Sequence, residues 1–106
     1  MSTRATIAVR RPDEHYEAAY LHFDGYPSHT GESLKQHYST RSLAEGLVAS
    51  GDLRCIDRGT GAVERYSNRN SLAVLPTKDA LIDFARNCDA QYLYVFDAGT
   101  WSCVEL

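Results

Sequence analysis

Long apolar runs are missing from this 106-residue chain, and with them any segment able to cross a membrane as a helix, which takes about 20 predominantly apolar residues. No positively charged opening followed by an apolar core is present, so no secretory signal is expected and a cytoplasmic location is. Cysteine is sparse. Cys55, Cys88 and Cys103 are odd in number and lack C-x-x-C spacing, which argues against a disulfide framework and a zinc knuckle and leaves buried thiols. A basic excess is lacking too: 11 Lys and Arg face 14 Asp and Glu, for a net charge of -3, so nucleic acid is not an expected partner. Repeats and low-complexity segments are absent.

What is there is an ordinary globular composition, 43% hydrophobic and 24% charged, at a length that suits one domain spanning residues 1–106. Residues 4–10 alternate, with Ile7 and Val9 on one face and Thr6 and Arg10 on the other, the pattern of a half-buried strand. A turn at Pro12 and a second alternating run over 16–23 complete an antiparallel hairpin. At the other end, residues 91–96 and 100–106 flank Asp97, Ala98 and Gly99 and predict a second hairpin, with Tyr92, Tyr94 and Phe96 on one face. Between them lie three predicted helices. The first follows Pro27, with Thr30 or Ser28 as its cap. The second follows Ser39 or Thr40, buries Leu43, Leu47 and Val48, and ends at Gly51. The third is capped by Thr77 and carries Leu81, Phe84, Ala85 and Cys88 at helical spacing. Residues 54–71 read as a polar, turn-rich stretch with a short strand near 62–66. The expected fold is therefore α+β, an antiparallel sheet formed from the N- and C-terminal β-hairpins and covered on one face by about three helices.

The densest run of unusual residues is 20–38, where a strand meets a glycine/proline loop and turns helical. Asp24-Gly25 and Tyr26-Pro27 are turn punctuation, because glycine reaches positive φ freely and proline restrains both itself and Tyr26. The candidate binding residues are Tyr20, His22, Asp24, Tyr26, His29, Thr30 and Gly31, with Arg65 and Arg69 able to close from the later segment. Two chemistries suit them. Seven tyrosines, each an apolar body with a polar tip, favour a protein-binding surface. Alternatively, the 24–31 loop binds a phosphorylated small molecule or signalling nucleotide, with aromatic rings on the base and amides near Thr30 and Gly31 on phosphate. The histidines His22, His29 and His37 match no zinc spacing, so no metal and no cofactor are expected. No cysteine has an evident histidine partner, so no catalytic residues are assigned and an enzyme is not expected.

Several motifs together resemble a family of small uncharacterised phage and prophage proteins. They are Ser2, Thr3, Arg4, Ile7 and Ala8 in an S-T-R-x-x-I-A opening; His22, Asp24, Gly25, Tyr26, Pro27 and Gly31 in an H-x-D-G-Y-P-x-x-x-G centre; His37-Tyr38; Gly51, Asp52 and Leu53; and the aromatic hairpin closing on Trp101. Phe23 stands where those proteins usually carry tryptophan, and residues 66–69 are less charged than theirs. The resemblance implies a phage accessory protein in the cytoplasm of a bacterial host. It would bind a host protein or protein complex stoichiometrically, in host takeover or in anti-defence such as anti-CRISPR inhibition, with a homodimer as a further partner state and no membrane partner.

Overall fold

The computed structural model describes residues 3–65 and 72–106. Both expected hairpins form. Strand β1 (Ala5–Arg10) pairs antiparallel with β2 (Tyr16–Leu21), and β6 (Tyr92–Asp97) with β7 (Thr100–Glu105) around the Ala98-Gly99 turn, where both residues have positive φ. The fold is α+β, built on an open, mostly antiparallel, mixed sheet of seven strands, six of which run in the order β4 (Val63–Arg65), β3 (Leu53–Ile56), β2, β1, β6, β7. β5 (Ala73–Leu75) lies against the first half of β2, and β3 (Leu53–Ile56) against its far end.

Two features differ from the sequence expectation. The hairpins meet through a parallel pair, β1 with β6, Ala5 opposite Tyr92 and Val9 opposite Phe96. The helices also divide between the two faces. On one, Ile7, Val9, Ala19, Leu21, Tyr94 and Phe96 pack under Leu34 of α1 (Glu32–His37) and under Ala44, Leu47 and Val48 of α2 (Arg41–Ala49). On the other, Ala8, Ala18, Leu93 and Val95 pack under Leu81 and Ala85 of α3 (Lys78–Asn87). β1 is therefore buried on both faces from Ala5 to Val9 instead of half-buried, and Thr6 lies fully inside. Its alanines, with Ala18 and Ala19 of β2, let helical layers approach from both sides.

The caps follow the sequence in two helices out of three. Thr40 accepts from the Leu43 amide at 3.3 Å and Thr77 from the Ala80 amide at 3.1 Å, each satisfying an otherwise orphaned donor. Leu43 is not in the buried stripe of α2. It is 49% exposed, because Ala44, Leu47 and Val48 form the i, i+3, i+4 set that faces the sheet. Gly51 takes the expected left-handed position, φ 87°.

The polar stretch after α2 is more ordered than its composition predicts. β3 and β4 (Val63–Arg65) form a hairpin whose turn is tied by the Asp57 carboxylate, which accepts from the Thr60 amide at 2.7 Å and the Thr60 hydroxyl at 2.9 Å. These bonds hold the Asp57 carboxyl below its ordinary range. The Arg69 part of the same stretch lies outside the described residues.

Candidate functional site

The 22–31 connection leaves β2 beside β3. The amides of His22 and Phe23 donate to the carbonyls of Leu53 and Arg54 at 3.1 and 3.0 Å. Asp24 then turns the chain with φ 57°, and the Gly25 amide donates to the Thr3 carbonyl at 2.8 Å. Gly25 is required by that approach: a Cβ there would stand 2.7 Å from the Ala5 Cβ and 2.9 Å from the Thr3 carbonyl oxygen. The hydroxyl of Tyr94, buried beneath, donates to the Gly25 carbonyl at 2.6 Å. Burial pushes that phenol's pKa well above its ordinary value, so it remains a donor.

The helix begins earlier than the capping reading expected. A π-type turn over Pro27–Gly31 runs directly into α1, and Tyr26, the flanking residue, supplies no side-chain cap. Proline suits the first helical position because it has no amide to satisfy. Thr30 is therefore inside the turn and caps nothing. Its amide donates to the Tyr26 carbonyl at 3.0 Å and its hydroxyl to the Asp24 carbonyl at 2.7 Å. The His29 amide shares the Tyr26 carbonyl at 3.0 Å. Of the two amides expected to meet phosphate, at Thr30 and Gly31, that of Thr30 is thus engaged within the fold, as are those of Gly25 and His29.

The candidate residues fall into separate places. Asp24 and His29 border one groove of about 390 Å³ with Cys55, Asp57 and Glu64, and the His29 Nε2 pairs with the Ile56 carbonyl at 2.9 Å. Gly31 borders a second groove of about 350 Å³ between α1 and the terminal hairpin, with Glu32 and Lys35 on its helical wall and Tyr94, Trp101 and Cys103 on its sheet wall. Tyr26 stands between them, 38% exposed, its ring 5.7 Å from that of His29. The thiols are not buried as expected: Cys55 and Cys88 are half-buried and Cys103 is exposed. Partial desolvation still raises the pKa values of Cys55 and Cys103, aided at Cys55 by the Glu64 carboxylate and opposed at Cys103 by the bond to Tyr94, so neither is activated as a nucleophile. Among the described residues, no group of three or more His, Cys, Asp or Glu side chains is placed to hold a metal ion.

Arg65 is committed elsewhere. Its guanidinium donates to the carbonyls of Gly51 at 3.1 Å and Leu47 at 3.0 Å, closing the C-terminal end of α2. Burial lowers its pKa without discharging it. Replacing Arg65 with Met keeps the stem and removes both bonds, and should cost about 1.5–3 kcal/mol in urea unfolding. A Met variant as stable as the parent chain would overturn this structural role.

The half-exposed side chains that do converge are Tyr20, His22, Phe23 and Arg54. The Tyr20 hydroxyl and His22 Nδ1 are 2.6 Å apart. The His22 and Phe23 rings meet edge-on at 4.4 Å between centroids, and the Arg54 guanidinium lies 5.6 Å from the centre of the Phe23 ring. Arg54 was readable only as one of several arginines in a polar stretch; the β2–β3 alignment brings it to Phe23. Among the described residues, no helix is long and apolar enough to cross a membrane. No protein-family model, curated protein or solved structure matches the chain.

Proposed function

We propose that this chain is a stoichiometric binding module of phage type, acting on a host protein or protein complex in the bacterial cytoplasm, in host takeover or in blocking a defence such as CRISPR-type immunity. The observation that carries the binding reading is the row Tyr20, His22, Phe23 and Arg54, in which ring and cation contacts hold half-exposed side chains in one arrangement. Tyrosine and arginine are the residue types that dominate protein interfaces, and side chains already ordered in the free state lose less entropy on docking. Tyr26 and His29 extend the surface along the same connection. The phage setting rests on the sequence resemblance.

The test is capture from bacterial lysate at several salt concentrations, with the parent chain beside Phe23→Ala and Arg54→Glu variants. One polypeptide should be retained near equimolar ratio by the parent chain and bind roughly 30-fold more weakly to each variant, the equivalent of about 2 kcal/mol per anchor. Equal retention by folded variants, or no retained partner at any salt, counts against the reading. A nucleotide that raises the melting temperature of the parent chain would favour the small-molecule alternative instead.

A further inference from the structure

The terminal strand β7 is an open edge. It pairs with β6 along its whole length without a bulge, from Asp97 opposite Thr100 to Tyr92 opposite Glu105, and its other side has no neighbour among the described strands. The Leu106 amide donates to the Gln91 carbonyl at 2.8 Å, which sets the parity of the ladder: the even-numbered residues of β7 bond inward to β6. The amides and carbonyls of Trp101, Cys103 and Glu105 therefore point outward. Edge strands of this length are usually guarded by lysine, proline or a bulge. β7 has none of these, and its one charged residue, Glu105, sits at its end.

We infer that β7 is the interface for a second copy of this chain, the two strands pairing antiparallel about a twofold axis at Cys103. That register uses every outward backbone group. Cys103 lies opposite its own counterpart, and Trp101 of each copy lies opposite Glu105 of the other, so like-facing amides and carbonyls meet in pairs. Side chains of Trp101, Cys103 and Glu105 share the α1 face, because their partners Phe96, Tyr94 and Tyr92 do. The axis stands perpendicular to the sheet, so the groove beside α1 in each copy opens toward the junction. Glu105 of one copy then enters the groove of the other, where Trp101 stands on the sheet wall and Lys35, beside Glu32, on the helical wall. The Glu105–Lys35 pairing, which the twofold axis makes twice, favours a second copy over an unrelated strand. The inference is independent of the host-partner surface, which lies at the other end of the sheet beside β3.

Light scattering and sedimentation of the full chain should give twice the monomer mass, and a short bismaleimide should join the copies through Cys103 with Cys55 and Cys88 replaced by serine. Cys103→Pro removes an outward amide that β6 does not use, a position where an edge strand tolerates proline, and should leave a folded monomer. Should that variant fail to fold, Glu105→Lys decides. It should weaken dimerisation about tenfold, as the two Glu105–Lys35 pairs, one on each side of the axis, turn repulsive, and Lys35→Glu in the same chain should restore it. A parent chain that stays monomeric at all attainable concentrations overturns the inference, including one whose β7 edge accepts only a strand of another protein. So does a dimer that neither variant weakens.

Discussion

Tyr94→Ala should melt roughly 12–40 °C below the parent chain, the largest loss expected from any single truncation here. The side chain is 2% exposed, and removing a buried aromatic ring of this size costs about 3–5 kcal/mol, each kcal/mol being worth about 4–8 °C in a domain of this length. Tyr94 joins three parts of the structure: its strand pairs with β1, its ring underlies Gly31, and its hydroxyl holds the Gly25 carbonyl at 2.6 Å. Tyr94→Phe separates the contributions. It keeps the ring and leaves a buried carbonyl without its donor, at a cost of about 1–3 kcal/mol. Thermal unfolding of both variants checks the account, which fails if the Ala variant melts within a few degrees of the parent.

Gly61→Ala is the second large effect, at about 2–5 kcal/mol. Gly61 has φ +73°, a conformation costing an alanine about 1–2 kcal/mol. An added Cβ would also stand 2.6 Å from both Cβ and Cγ of His37, and crowding of a packed site adds about 1–3 kcal/mol. Those atoms belong to the root of the His37 side chain and cannot swing aside. The same turn is held from α1 by the Tyr38 hydroxyl, which donates to the Gly61 carbonyl at 2.5 Å, so displacing it disturbs the contact between the β3–β4 hairpin and α1. Gly46→Ala is the control. Gly46 is an exposed glycine inside α2 with nothing within 4 Å of a new Cβ, and this change should gain about 0.5–1 kcal/mol. Urea unfolding that ranks the two variants the other way would refute the geometric argument.

Local periodicity made much of this fold legible. The alternation of 4–10 and 16–23, the stripe of α3, the Thr40 and Thr77 caps and the glycine turn before β7 all report on neighbours close along the chain. What escaped depends on contacts between distant segments. Nothing near Thr6 announces that it will be fully buried, and nothing near Leu53 announces that it will pair with Leu21. Thr30 looked like a cap because threonine before glutamate usually is one, but Pro27 starts the helical turns four residues sooner. The candidate residues of the 20–31 region are present as read, yet the fold divides them between two grooves and a surface row. Arg65 belongs to the end of α2, a role invisible without the β3–β4 hairpin.

The parallel seam between β1 and β6 has a consequence for how the chain is made. Strand β1 finds one of its two neighbours only after every element from β2 to α3 has been synthesised, since Ala5 waits for Tyr92. Until then β1 and β2 form a hairpin with an unpaired inner edge, and the apolar floor for both helical layers is incomplete. Such long-range pairing slows folding and exposes intermediates to aggregation. Translation arrested before β6 should therefore yield a nascent chain that protease degrades readily, and the β6–β7 hairpin acts as the clasp that closes the sheet.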